Sequence, residues 1–209
     1  MLDYLRDPAA IYRESFATIE REAEIARFGA DERAVAIRMI HACGMTDLAD
    51  DIVISPSAAE AGRRALAEGA AIICDVEMVR RGIIRSRLTK DNAVLCEVGG
   101  ESARATAKEI GSTVSAGGIE VLEGRIAGSV VVIGNAPTAL FHLLEMLGRG
   151  AAAPALIIGC PVGFVGAVES KEALIGHRPE VPFITVRGRR GGSAIAAAAL
   201  NALAGGNQT

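Results

Sequence analysis

Aromatic residues are scarce in this chain: no Trp, two Tyr and five Phe, 3% in all. A surface that holds single strands by stacking needs such rings, and a strongly basic balance would be its electrostatic counterpart. The formal net charge is −3 and the isoelectric point is about 5.7. Nucleic acid is therefore not an expected partner, and an anionic ligand must be held by local arginines. Cysteine is also sparse. Cys43, Cys74, Cys96 and Cys160 are far apart and form no CxxC pair, which argues against a zinc or redox centre. Three of them end apolar runs, where a reduced thiol acts as a small hydrophobe, and this fits a reducing, cytoplasmic setting. The charged start MLDYLRDPAA has no apolar stretch of the kind a signal peptide needs. One long uncharged span, 151–168, is interrupted by Pro154, Pro161, Gly159, Gly163 and Gly166. It reads as a buried strand and a tight loop, and no membrane segment is expected. No GxGxxG follows a strand, and neither a GxxxxGK[ST] loop nor an HExxH motif occurs, so dinucleotide, ATP and metalloprotease sites are poorly supported.

What is abundant is aliphatic. Half of the 209 residues are hydrophobic, enough for one sizeable core of Ala, Val, Ile and Leu, and 1–209 reads as a single domain without repeats or linkers. Asp7-Pro8 opens a first helix, expected to run to about Arg27 with Gly29 as the break. Ile11, Ser15 and Ile19 recur at spacing four, which places Ser15 within an apolar stripe, where its hydroxyl can also bond back to its own helix. Asp31 is the expected cap of a second helix ending at Gly44. On it Val35, Met39 and Ala42 form one row, and Ala34, Arg38 and His41 another. Arg38 and His41, three residues apart, can face one way. A lone helical histidine is more often structural than catalytic, but a cation beside it on a partly apolar helix calls for an anion or a solvent opening. His142 and His177 lie in less suggestive surroundings.

Six short apolar runs follow: 52–55, 71–74, 93–96, 130–134, 155–160 and 183–186. Helical segments alternate with most of them, at 57–68, 75–81, 101–110, 138–147, 171–176 and 192–204, and a further helix near 115–123 fits the sheet edge. Near-continuous apolar strands alternating with helices imply an α/β fold with a parallel sheet covered on both faces. Ligands of such sheets bind beyond the carboxyl ends of the strands. That rule singles out the loops at 75–78, 134–138, 159–166 and 187–193, although tight turns alone would account for each glycine cluster. The tail from Gly205 to Thr209 has the composition of a frayed end.

Five stretches, in order, resemble the precorrin-8X methylmutase family of cobalamin biosynthesis. They are Arg38-Met39-Ile40-His41-Ala42-Cys43-Gly44, Cys74-Asp75-Val76-Glu77-Met78-Val79, Gly134-Asn135-Ala136-Pro137-Thr138-Ala139-Leu140, the run from Gly159 to Lys171, and Gly191-Gly192-Ser193-Ala194. The resemblance implies a flavodoxin-like, mostly parallel sheet with helices on both faces, preceded by two N-terminal helices. It implies a homodimer with its site near the subunit interface, and no separate cofactor or metal. The implied reaction is an isomerisation that moves a methyl group between adjacent ring-C carbons of a corrinoid to give hydrogenobyrinate. By the same resemblance His41 is the acid–base residue, and Ser15 and Arg38 contact substrate. Two positions depart from the pattern: Ile84 stands before Arg85 where the family often has threonine, and Val114 follows Thr113 where it often has arginine. Three alternatives remain: a cobalt-precorrin-8 methylmutase of the anaerobic route, a non-catalytic corrinoid carrier, and, on fold analogy alone, a flavin- or nucleotide-binding domain.

Overall fold

A computed structural model of the chain describes residues 2, 4–176 and 181–205. His177 and residues 206–209 of the tail lie outside them. All six apolar runs form strands: β1 (Ile52–Ile54), β2 (Ile72–Cys74), β3 (Val94–Leu95), β4 (Val130–Ile133), β5 (Leu156–Gly159) and β6 (Phe183–Val186). They make one sheet in the order β1-β6-β5-β4-β2-β3. Every pairing is parallel except β1 with β6, where Val53 sits opposite Thr185. Without β1 the order is that of a flavodoxin-like doubly wound sheet, and β1 covers what would be the open edge of β6.

Side chains alternate across the strands, so each strand feeds two cores. Ile72, Val130, Val132, Leu156 and Ile158 face one cluster, and Ile73, Val131, Ile133 and Ile157 face the other. The second cluster is covered by α7 (Val114–Val121), α8 (Pro137–Gly148) and α9 (Ala167–Gly176). Beyond α7 lies α6 (Glu101–Glu109), and Gly117 leaves no room for a Cβ against the backbone of Ala103 and Ala107. The first cluster is covered by α4 (Ala58–Ala67), α5 (Glu77–Gly82) and α10 (Ser193–Leu203). On this side the fold adds a layer, with α2 (Ala30–Cys43) against α10 and α1 (Pro8–Glu22) against α2.

The N-terminal layer departs from the sequence expectation in three places. Asp7 caps α1 as expected, accepting from the Ala9 and Ala10 amides at 3.2 Å each, but the helix ends at Glu22 rather than near Arg27. The chain turns there because Ile25 and Phe28 are drawn into the core, while the Arg27 guanidinium reaches the carbonyl oxygens of Ala49 and Ile52. The cap of α2 is Gly29 and not Asp31, and the Glu32 carboxylate accepts from the Gly29 amide at 3.1 Å. The buried row of α2 is Val35, Ala36, Met39 and Ile40, whereas Ala42 is exposed. A single helical turn, α3 (Leu48–Asp51), runs directly into β1.

The switch point of the doubly wound order lies between β2 and β4, where such folds take phosphorylated ligands. Here a side chain of the protein fills that crevice. Asp75, 2% exposed, accepts from the amides of Gly134 at 3.0 Å, Asn135 at 2.9 Å and Ala136 at 2.8 Å. Burial pushes this carboxyl above the ordinary aspartate range, and the backbone N–H groups oppose the rise. Asp75→Ala strands three donors and should cost roughly 2–4 kcal/mol in urea unfolding. With its anion cradle already occupied, the wild-type protein should leave flavin mononucleotide fluorescence unquenched in titration. Tight flavin binding would contradict this account of the crevice.

Candidate active site

Helices α1 and α2 cross so that two residues from separate parts of the sequence meet. The Ser15 hydroxyl lies 2.7 Å from His41 Nδ1. Two of the chain's few aromatic rings enclose the same imidazole. Tyr12 stacks on it with centroids 5.4 Å apart and planes at 28°, and Phe16 meets it edge-on at 5.4 Å and 83°. Ser15 is thus half-buried against a partner on α2 rather than bonded back to its own helix. The bond between the hydroxyl and Nδ1, in which Ser15 donates or accepts according to the tautomer, orients the ring and leaves Nε2 as the nitrogen for a ligand. His41, Ser15, Ile11, Ile40 and Thr46 line a cavity of about 410 Å³.

Arg38 sits one turn earlier on α2, with its Cζ 5.6 Å from the centroid of the Phe16 ring. It lines a second cavity, of about 580 Å³, together with Arg33, Arg63, Arg87 and Glu20. Both volumes fall in the usual range for small-molecule sites, roughly 300–1,000 Å³. Burial is the main cause that pushes the Arg38 pKa down, the Arg87 charge adds to it, and Tyr12 opposes it. The structure therefore joins Ser15 to His41 directly but gives Arg38 and His41 separate cavities, with Phe16 touching both residues. The sequence reading missed Tyr12, Phe16 and Arg87. A signal for the rings was present, since Tyr12 and Phe16 flank Ser15 at helical spacing. Ile84 is exposed and gives its amide to Asn201 Oδ1 at 2.9 Å, while Val114 opens α7 behind Thr113, whose hydroxyl pairs with that of Thr138 at 2.8 Å. Among the described residues no group of His, Cys, Asp and Glu could hold a metal ion, and no helix is long and apolar enough to cross a membrane.

The C-terminal end of α2 is anchored to the sheet. Gly44 takes the left-handed conformation at φ 68°, and its amide bonds the Ile40 carbonyl at 2.8 Å. Just beyond, the Arg190 guanidinium pairs with Asp47 at 2.8 Å and with Asp51. The carbonyl of the same Arg190 accepts from Nζ of Lys171, a fully buried lysine, at 2.7 Å. Gly191 presses on the carbonyls of Cys160 and Pro161 where a Cβ could not fit. Lys171 on α9 thus holds the 187–192 loop, and that loop holds the end of the His41 helix. Burial pushes the Lys171 pKa below the ordinary lysine value, so the unfolded chain retains its proton to higher pH than the folded one. The charge then costs stability at neutral pH, and that cost fades as pH rises through the folded pKa toward the ordinary lysine range. Urea melts from pH 7 to 10 should show wild-type stability rising relative to Lys171→Met. A flat difference would mean that the buried amine is not desolvated as described.

An added helical layer that sets a histidine beside an arginine-lined cavity, on a sheet whose own switch point is closed, defines a flavodoxin-like α/β protein with a candidate site outside the usual crevice. The model of the precorrin-8X methylmutase family matches residues 10–205. The chain is 59% identical over 204 residues to a precorrin-8X methylmutase of Pseudomonas aeruginosa, covering 98% of both chains. It is 37% identical over 200 residues to a cobalt-precorrin-8 methylmutase of Leptospira interrogans, covering 92% of this chain and 91% of the relative. A crystal structure of precorrin-8X methylmutase from Thermus thermophilus superposes with a TM-score of 0.86 at 36% identity, covering 96% of this chain and 99% of the other. The chain belongs to the precorrin-8X methylmutase family.

Proposed function

We propose that this chain is a precorrin-8X methylmutase, a single-domain isomerase that moves a methyl group between adjacent ring-C carbons to give hydrogenobyrinate in cobalamin biosynthesis. His41 is the acid–base residue, and Ser15 and Arg38 contact the substrate. The observation that carries this reading is the 2.7 Å contact between Ser15 Oγ and His41 Nδ1. It joins two residues named by the family resemblance and presents one ring nitrogen, Nε2, for proton exchange. In the shift one carbon–methyl bond breaks and the bond to the neighbouring carbon forms, with no net change in protons or electrons. As the imidazolium, with Nδ1–H held by Ser15 Oγ, His41 gives its Nε2 proton to a ring nitrogen or conjugated carbon, which polarises the π system as the methyl group moves. Nε2 of the resulting neutral ring takes the proton back when conjugation has extended. Such a transfer contributes about 10²–10⁴-fold, and holding the macrocycle in a reactive shape supplies the rest. The chemistry needs no separate cofactor. Arg38, with its planar pair of donors, suits a carboxylate side arm.

The protein acts as a homodimer in the cytoplasm on this reading. Leu5, Ile11 and Tyr12 are exposed on and before α1, next to the His41 cavity, and a second copy would cover them. The metal-free substrate is favoured over the cobalt-containing one because identity is 59% to the Pseudomonas relative and 37% to the Leptospira one. The test is a visible spectrum of purified protein mixed with precorrin-8X. A corrin band at longer wavelength should grow with turnover, while His41→Ala still binds but converts at least about 10²-fold more slowly. Ser15→Ala, which frees the ring to rotate, should lose up to roughly 10²-fold in kcat. Binding without conversion points instead to a carrier or, if cobalt-precorrin-8 is converted, to the anaerobic substrate.

A further inference from the structure

The 580 Å³ cavity beside Arg38 is unusual in its cations. Arg87 is only 9% exposed, yet among the described residues its guanidinium makes no hydrogen bond and no ion pair. Its nitrogens are not sealed in the core but face the cavity, where their N–H donors are left for an anion. Arg87 nevertheless faces a second cation, Arg38, close enough for its charge to lower the pKa there. A third, Arg33, is exposed at the rim and likewise has no partner among the described residues. Arg63 differs, because Asp31 takes its charge at 2.6 Å. The one acidic side chain in the lining, Glu20, forms no ion pair among the described residues. Three guanidinium groups thus converge on one pocket, and among the described residues none of them is paired with a carboxylate.

We infer that Arg87 and Arg33, together with Arg38, form a clamp for a peripheral carboxylate of the corrinoid, so that substrate is held by a side arm on one side of Phe16 while its ring meets His41 on the other. This rests on the methylmutase reading. The class of ligand follows from the donors. Planar guanidinium groups match a carboxylate through paired N–H bonds, and one anion between two cations offsets the repulsion between them. An acetate or propionate arm is such an anion on a flexible tether, and the macrocycle carries several. Arg87 is thus a substrate-binding residue that the sequence motifs did not single out. It sits at the end of a short 3₁₀ turn, Arg85–Arg87, whose approach is fixed by the bond from the Ile84 amide to Asn201.

The experiment compares binding of hydrogenobyrinate with binding of its methyl-esterified derivative, in the full-length protein and in Arg87→Gln and Arg33→Gln. Wild type should prefer the acid. Arg87→Gln should weaken binding of the acid by roughly 10- to 100-fold and Arg33→Gln, at the exposed rim, by roughly two- to fivefold, while ester affinity stays constant in both. With precorrin-8X the same variants should raise KM by those factors and leave kcat near the wild-type value. A merely structural Arg87 would weaken acid and ester alike and lower kcat. That result, or an unchanged preference for the acid in the variants, overturns the clamp. If Arg87→Gln fails to fold, Arg33→Gln alone decides between them, since its side chain is exposed. A wild-type protein that binds neither corrinoid and converts no precorrin-8X defeats the functional reading and the clamp with it. Normal turnover combined with unchanged acid preference in the variants defeats the clamp only.

Discussion

Burial of α10 between the sheet and α2 is the contact from which the rest of the site takes its position. Its sequence, SAIAAAALNAL, is alanine-rich, and its buried residues include Ile195, Ala196, Ala199, Leu200 and Leu203. Small side chains let it lie close to β4 and β5 on one side and close to α2 on the other, and a bulkier helix would lift α2 off the sheet. The approach to α5 is equally tight, since a Cβ on Gly82 would come within 2.8 Å of the Ala197 Cβ. One polar residue locks this packing. Buried Asn201 gives its side-chain N–H to the Gly82 carbonyl and accepts the Ile84 amide, both at 2.9 Å. Each such bond is worth about 1 kcal/mol net, but the pair also sets the register of α10 against the segment leading to Arg87. A single helix thereby positions the elements that carry His41, Arg38 and Arg87.

The strands were legible because a buried parallel strand is written as a short unbroken apolar run, and each such run became a strand within a residue or two. The antiparallel pairing of β1 was not legible, because its composition matches that of its parallel neighbours and its direction is set by the helices before it. The end of α1 was misjudged for a related reason. Ile25 and Phe28 continue an apolar pattern, but they satisfy it from a turn. Ser15, Arg38 and His41 were singled out through the family resemblance. Their geometry was not legible, since periodicity places residues on one helix and says nothing of which helix crosses it. Ser15 met His41 across the α1–α2 contact, and Arg38 and His41, neighbours on one helix, opened into different cavities. Asp75 was singled out by its loop and its motif, but its role was not legible. An acidic residue after a strand reads as loop chemistry until the three amides it accepts are seen together.

Two sets of arginines bear on how an acidic chain could accommodate an anionic ligand. Arg63, Arg80, Arg187 and Arg190 are paired with carboxylates and serve the scaffold. Arg33, Arg38 and Arg87 meet at one cavity without such partners among the described residues. The net charge of −3 would repel a polyanion weakly at long range, but that field is screened within about 8 Å at physiological salt. Inside the cavity screening is weaker and the local sign is positive. Affinity is then decided by where the cations sit, so the overall balance of charge is a poor guide to ligand chemistry here.

The proposed reaction asks little of the protein in the way of reacting groups. A methyl shift within one molecule has no second substrate to recruit, and its charge redistribution is spread over a conjugated ring. One histidine suffices for the proton, provided the ring is held against it in a fixed pose. The arrangement around His41 fits that demand. The serine and the two aromatic rings restrict the imidazole on one side and leave one nitrogen free, while the cations that would grip the side arm lie one helical turn away. Separating grip from chemistry has a physical advantage. Arg38, on the other side of Phe16, can bind a carboxylate without occupying the space beside Nε2. Separate cavities thus suit the role proposed for His41 toward a substrate that carries many negative charges.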